Sequence, residues 1–283
     1  MLTKETVTGQ VVVSVRVAKQ LIARAIYHLP EVQQALRQGK IVLKAGTTVA
    51  PLAELLGAPP LRIGGRITPD GARNAKMLAE APHIVVIEDG QWRAADRSLP
   101  EDMAGMGPGD VFITGANALD ASGVAGLMAG MPGGSVAGKA LSNLASEGIN
   151  TIIAVGLEKL IPGAIIDICR LAGRKKIDKS MGMAVGLMPL FGKVVTEQLA
   201  LELMTGVTAT VIGAGGINGA EGATTMLVTG TDSQVQDAFA LIAGLRAAPG
   251  CGHSDSLVSC ETYGYSCGHH LACIYKQGMP QEG

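Results

Sequence analysis

Two short apolar runs, each stopped by a glycine, constrain the fold more than any other feature of the sequence. Residues 111–114 read Val-Phe-Ile-Thr and meet Gly115. Residues 151–155 read Thr-Ile-Ile-Ala-Val and meet Gly156. Unbroken runs of this kind fit parallel strands buried on both faces. The segment between them is dense in glycine, which lets backbone approach a ligand closely. In open α/β sheets ligands bind beyond the carboxyl ends of the strands. The sequence therefore directs attention to the residues that follow each run.

The rest of the chain supplies the alternation that such a sheet needs. Residues 11–39 carry apolar positions at helical spacing and continue past Pro30. Residues 40–44, Lys-Ile-Val-Leu-Lys, read as a strand that ends in Ala45-Gly46-Thr47-Thr48, and residues 51–56 as a helix. Strand, Gly-Thr-Thr and helix together make an anion cradle, or else an ordinary turn capped by threonine. Residues 61–68 are expected as a short strand or loop, 72–80 as a helix, 83–88 as a strand and 91–106 as irregular chain. Strands alternating with helices predict a mostly parallel open α/β sheet over residues 1–175.

A different rhythm follows a basic joint near residues 173–179. Strands are expected at 181–190, 208–217, 223–229 and 270–275, with helices at 192–204 and 233–246, the latter capped by Asp232. That order, β-α-β-β-α-β, is the ferredoxin-like split unit, predicted over residues 180–276.

Composition excludes several functions. The chain of 283 residues has a net charge of -1 and only 3% aromatic residues. Neither a basic field nor a stacking platform for nucleic acid is present. Residues 1–30 contain Lys4, Glu5, Arg16, Lys19 and Arg24 and no signal-peptide core. No window reads as a membrane span. The expected location is the cytoplasm, with no membrane or nucleic-acid partner. The glycine-rich interior and the apolar second domain favour a homo-oligomer.

Three segments in order resemble the superfamily of ribose-5-phosphate isomerase A, CoA transferases, 5-formyltetrahydrofolate cyclo-ligase and lactate-utilisation (LUD) proteins. The first is Val42-Leu43-Lys44-Ala45-Gly46-Thr47-Thr48. The second is Thr114-Gly115-Ala116-Asn117-Ala118-Leu119-Asp120. The third is Gly133-Gly134-Ser135-Val136-Ala137-Gly138-Lys139, followed by Ile152-Ile153-Ala154-Val155-Gly156-Leu157-Glu158-Lys159-Leu160. The resemblance implies an isomerase/CoA-transferase-like fold and a cleft for a small anionic metabolite of phosphorylated, CoA or folate type. Gly46, Thr47, Thr48, Thr114, Gly115, Asn117, Gly133, Gly134, Ser135 and Lys139 are the expected ligand-binding residues. Asp120, Glu158 and Lys159 are the expected catalytic ones. The isomerase motif's Asp and catalytic Glu correspond to Asn117 and Ala118 here. Neither can move a proton between carbons, so a non-catalytic sensor or assembly protein is the alternative.

Three further motifs compete. Gly133 to Lys139 has the spacing of a P-loop, but Ala140 stands where Mg²⁺ binding needs Ser or Thr. Gly213-Ala214-Gly215-Gly216 follows a strand as a dinucleotide motif would, yet too few residues remain before the next strand for a crossover helix. A glycine-rich hairpin is expected there. The segment 251–273 holds Cys251, His253, Cys260, Cys267, His269, His270 and Cys273, ligand types that suit zinc or an iron–sulfur cluster. Cys251, His253, Cys260, Cys267, His269 and Cys273 are the candidate metal ligands of a metal- or redox-responsive alternative.

Overall fold

A computed structural model describes residues 6–250, 252–258, 260, 265, 267–271 and 273, with the side chains of 135–137 and 139 left aside. In chain order its elements begin with strand β1 (Val7–Val13), helices α1 (Val15–Tyr27) and α2 (Pro30–Gln38), β2 (Lys40–Lys44) and α3 (Ala50–Leu55). Then come β3 (Arg66–Thr68), β4 (Gly71–Arg73), β5 (Ile84–Glu88), β6 (Gln91–Ala94) and α4 (Leu99–Ala104). The central part holds β7 (Val111–Gly115), β8 (Ala118–Leu119), β9 (Ala125–Ala129), α5 (Ser135–Ser146), β10 (Asn150–Ala154) and α6 (Ile165–Leu171). The last part holds β11 (Gly186–Leu190), β12 (Lys193–Val195), α7 (Glu197–Thr205), β13 (Thr208–Gly215), β14 (Ala223–Gly230), α8 (Asp232–Leu245) and α9 (Ser254–Leu257).

The protein is mixed α/β. Its largest sheet has six strands in the order β12-β10-β7-β2-β5-β6. The four strands β12, β10, β7 and β2 run parallel, and β5 and β6 continue the sheet antiparallel. Side chains alternate across it as strand geometry requires. Ile41, Leu43, Val85, Val111, Ile113 and Ile152 face one core, which extends through α1 to the three-stranded sheet β1-β14-β13. Val42, Ile84, Val86 and Phe112 face a second core closed by Met103 of α4 and by Ala140 and Leu144 of α5. Burial on both faces explains the unbroken apolar runs in the sequence.

Helix α1 lies at the centre of the first core, with Leu21, Ile22 and Ile26 fully buried. Ser14 starts it by accepting from Val17 N at 3.5 Å, so the chain turns from β1 into α1 with no helical continuity. This departs from the helix expected over residues 11–39. The β-branched run Val11-Val12-Val13 is stiff at χ1 and favours a strand. It pairs antiparallel with Met226, Thr225 and Thr224 of β14.

That pairing also changes the C-terminal arrangement. The expected ferredoxin-like order would place residues 181–190 beside the hairpin of β13 and β14. Instead β11 joins β9 and β8 in a separate antiparallel sheet, and β1 occupies the edge of β14. The first and last parts of the chain therefore share one core. Thr231 rather than Asp232 caps α8, in a reciprocal box with Gln234. Of the strand expected at 270–275, His270 and Leu271 form no strand, Cys273 makes an isolated bridge to Ser180, and the other residues lie outside the described ones. β13 and β14 do form the expected hairpin.

Two other expectations fail, for different reasons. Residues 72–80 form no helix. Their backbone groups bond to distant chain instead, Ala72 N to Met181 O at 3.0 Å and Lys76 N to Val258 O at 2.9 Å. Residues 91–106, expected to be irregular, contain β6 and α4. β6 is exposed along its whole length, so it carries no apolar alternation to read. No helix among the described residues is long and apolar enough to cross a membrane.

Candidate functional site

The carboxyl ends of β2 and β7 open into a cavity of about 560 Å³, within the ~300–1,000 Å³ usual for small-molecule sites. β2 contributes Lys44 and then the turn Ala45 to Thr48. β7 contributes Gly115, followed by Ala116 and Asn117. The turn after β10 adds Lys159, and α1 adds Lys19. β5 runs antiparallel to β2, so its start lies at the same end and brings His83. Residues 62–67 and the β3–β4 hairpin form one wall. Residues 127–131 and Met183 form another. Met183 joins the two walls. A Cβ on Gly65 would stand 2.9 Å from its Cε, and one on Gly130 2.5 Å from its Sδ.

Cations dominate the lining. Lys19, Lys44, Arg62, Arg66 and Lys159 all reach the cavity, and no described lining residue is acidic. Two of the five have carboxylate partners behind the wall, Arg62 with Asp96 at 2.7 Å and Lys159 with Glu158 at 3.8 Å. Among the described residues Lys19, Lys44 and Arg66 form no ion pair. Burial pushes the Lys44 ammonium down to about 8. Arg66 donates twice to Ser256 O at 2.5 Å, while its Nε is buried without a hydrogen-bond partner among the described residues. The Thr48 hydroxyl is likewise buried and unpartnered. Buried polar groups without a partner are rare in folded proteins, and on a cavity wall they are open to water, an ion or a ligand.

His83 is neutral. Burial, then the charge of Lys44, holds its pKa near 4. Its Nδ1 lies 2.9 Å from Arg62 O. A carbonyl only accepts, so Nδ1 carries the proton and Nε2 is left as a base.

Of the residues expected to bind a ligand, Gly46, Thr47, Thr48, Gly115, Asn117 and Gly134 line the cavity. Asn117 accepts from Met128 N at 3.0 Å and so ties the β7 end to β9. Thr114 is buried behind the lining and donates to Gly115 O at 3.2 Å. Gly133 lies just before Gly134 at the entrance to α5. The side chains of Ser135 and Lys139 lie outside what is described; their backbone forms the first turns of α5.

The three expected catalytic residues separate. Lys159 lines the cavity. Glu158 does not, because its carboxylate folds back over Gly156, where only the absence of a Cβ leaves room for it. Asp120 is buried away from the cavity, and its carboxylate is saturated. It accepts from Ser122 N and Oγ, Val124 N and Ile165 N at 2.6–3.0 Å. These bonds hold its pKa down at about 2. Asp120 therefore ties the β8–β9 turn to the start of α6 and, held ionised by these bonds, it offers no proton for chemistry.

Sequence reading missed Lys19, Arg62, Arg66 and His83 as site residues, and also Glu197. The Glu197 carboxylate is buried at the start of α7 and accepts from Leu157 N at 2.9 and 3.2 Å. It thereby holds the turn that presents Lys159. Burial raises its pKa to about 7.

The expected metal ligands that lie among the described residues do not converge. Among the described residues no group of three or more His, Cys, Asp or Glu side chains could hold a metal ion. His253 caps α9, Cys260 packs against Asn74 and Arg73, Cys267 and His269 share a single turn, and Cys273 bridges to Ser180. Cys251 lies outside the described residues. The physical reason is that each of these segments is held by backbone bonds to a different neighbour.

No family model, curated protein or solved structure matches the chain.

Proposed function

We propose that this protein binds a small anionic metabolite in the cavity at the carboxyl ends of β2 and β7. The single observation that carries this reading is the lining itself, with five cations and no acid among its described residues. Such a wall repels itself until an anion enters. Three unpaired cations in a partly dry space bind a phosphate or carboxylate far more strongly than surface lysines do. The resemblance to the isomerase, CoA-transferase and LUD superfamily supports the same place, since its first two motifs supply Gly46 to Thr48 and Gly115 to Asn117. The volume holds a phosphosugar whole, and a CoA ester or folate in part.

Whether the site turns its ligand over rests on groups other than the carboxylates that the resemblance pointed to. Asp120 is saturated and Glu158 faces away, which favours binding without isomerase chemistry. The reading is tested by thermal unfolding against phosphosugars, CoA esters and folates. A ligand at 100 times its Kd stabilises the native state by about 2.7 kcal/mol. The expected result is a shift with at least one class that falls on changing Arg66→Gln. Absence of any shift across the three classes would overturn it.

A further inference from the structure

We infer that Lys44 is an amine nucleophile that forms an imine with an anionic carbonyl compound held in the cavity, with His83 moving the protons. The inference rests on the anion-binding reading and goes beyond it to a reaction class and a substrate class, an aldehyde or ketone bearing phosphate or carboxylate.

The arrangement of the three lining lysines distinguishes Lys44. Burial lowers the Lys159 pKa too, but Glu158 at 3.8 Å works against that shift. Lys19 lines the cavity from α1 and not from a strand end. Lys44 ends a strand whose three middle positions, Ile41 to Leu43, are buried and apolar; it stands opposite Ile84 and has no carboxylate partner among the described residues. An ammonium so placed sheds its proton more readily than a surface lysine, and burial does bring it down to about 8. Arg66, and Lys159 beside Glu158, are placed to hold the ligand's anionic end. His83, the one imidazole among the described lining residues, offers an unprotonated Nε2.

The reaction balances without any other reagent. The Lys44 Nζ lone pair forms a C–N bond to the carbonyl carbon, and the C=O π pair moves to oxygen. Nε2 of His83 takes one proton from the nitrogen and passes it to that oxygen, which leaves a neutral carbinolamine, then takes the second nitrogen proton and passes it to the hydroxyl. The hydroxyl leaves as water as the C=N bond forms. The surrounding cations favour the electron-rich oxygen as it develops.

Borohydride trapping tests this. The full-length protein is incubated with pyridoxal 5′-phosphate, and separately with glyoxylate. It is then reduced with sodium borohydride and mapped by peptide mass spectrometry. The expected result is a reduced adduct on Lys44 at a yield roughly tenfold above that on the exposed Lys175 and Lys179, following from the larger neutral fraction of a lysine with lowered pKa. Lys44→Arg keeps the charge and is expected to lose the adduct, with its melting curve reporting that it folds. His83→Gln slows adduct formation without moving it to another lysine. Adducts confined to surface lysines, or centred on Lys19 or Lys159, would overturn the inference. Inorganic phosphate separates the two levels. Stabilisation by phosphate with no Lys44 adduct removes the imine and leaves the binding site. Lack of stabilisation by phosphate together with lack of any adduct removes both.

Discussion

Glu197 sits where residue chemistry and site geometry meet. It is buried beneath the turn that carries Lys159, and its pKa rises from an ordinary 4.5 to about 7 because burial disfavours the charged carboxylate. The protonated form is therefore the one the fold prefers. Its stabilising contribution is fully present below pH 4.5 and is lost as pH rises through about 7. A shift of that size corresponds to about 3 kcal/mol. Glu197→Gln keeps the acceptor and removes the titration. Chemical denaturation across this range should show wild-type stability falling relative to the variant; parallel curves would contradict the assignment. Asp120 has the opposite sign. Its pKa falls from 3.8 to about 2, so its contribution is present above 3.8 and lost as pH falls through about 2. Acid unfolding of Asp120→Asn should be flatter than wild type in that window. The sequence could not separate these two acids. Asp120 stands in a motif but spends its oxygens on four local and distant donors. Glu197 stands in no motif and acquires its role only when α7 docks beneath residues 157–159.

At the scale of elements, the β3–β4 hairpin is the part of the wall most dependent on a specific backbone contact. Gly71 and Gly182 have positive φ values of 106° and 78°, a region that side chains with a Cβ avoid. They also pack closely. A Cβ on Gly71 would stand 2.0 Å from Met181 O, and one on Gly182 2.0 Å from Ala72 O. Backbone bonds Ala72 N to Met181 O and Met183 N to Ala72 O, at 3.0 and 2.7 Å, lock the pair. Gly182→Ala should detach the hairpin and carry Met183 away from Gly65 and Gly130. Hydrogen exchange should then show faster exchange at residues 66–73 and 181–183, with β2, β7 and β10 unchanged. Uniform exchange in both proteins would show that the contact is dispensable. The central strands were legible because they are buried on both faces and so read as apolar runs. The hairpin, β6 and the residues around 72–80 were not, because their backbone partners are more than a hundred residues away or their side chains face solvent. β1 was hidden for another reason. Its last three residues, Val11 to Val13, merge with the helical period of α1, and only the Ser14 cap marks the break.

Over the whole molecule, the N-terminal strand and helix join the C-terminal hairpin and helices in one core, while the six-stranded sheet presents its strand ends to the cavity. The place of the site was legible, since Gly46 to Thr48, Gly115, Asn117 and Lys159 follow the strands as the sequence indicated. Its charge was not, because Lys19 comes from α1 and Arg62 and Arg66 from the wall at residues 62–67, away from the strand-end motifs, and each is unremarkable on its own. The central claim is that these cations form a single anion site. Lysine acetylation with mass-spectrometric readout, in the presence and absence of inorganic pyrophosphate, tests it most directly. With pyrophosphate at ten times its Kd about a tenth of the sites stay empty. Labelling of Lys44 and Lys159 should then fall about tenfold, with Lys175 and Lys179 unaffected. Equal labelling of all four lysines with and without pyrophosphate would contradict the account.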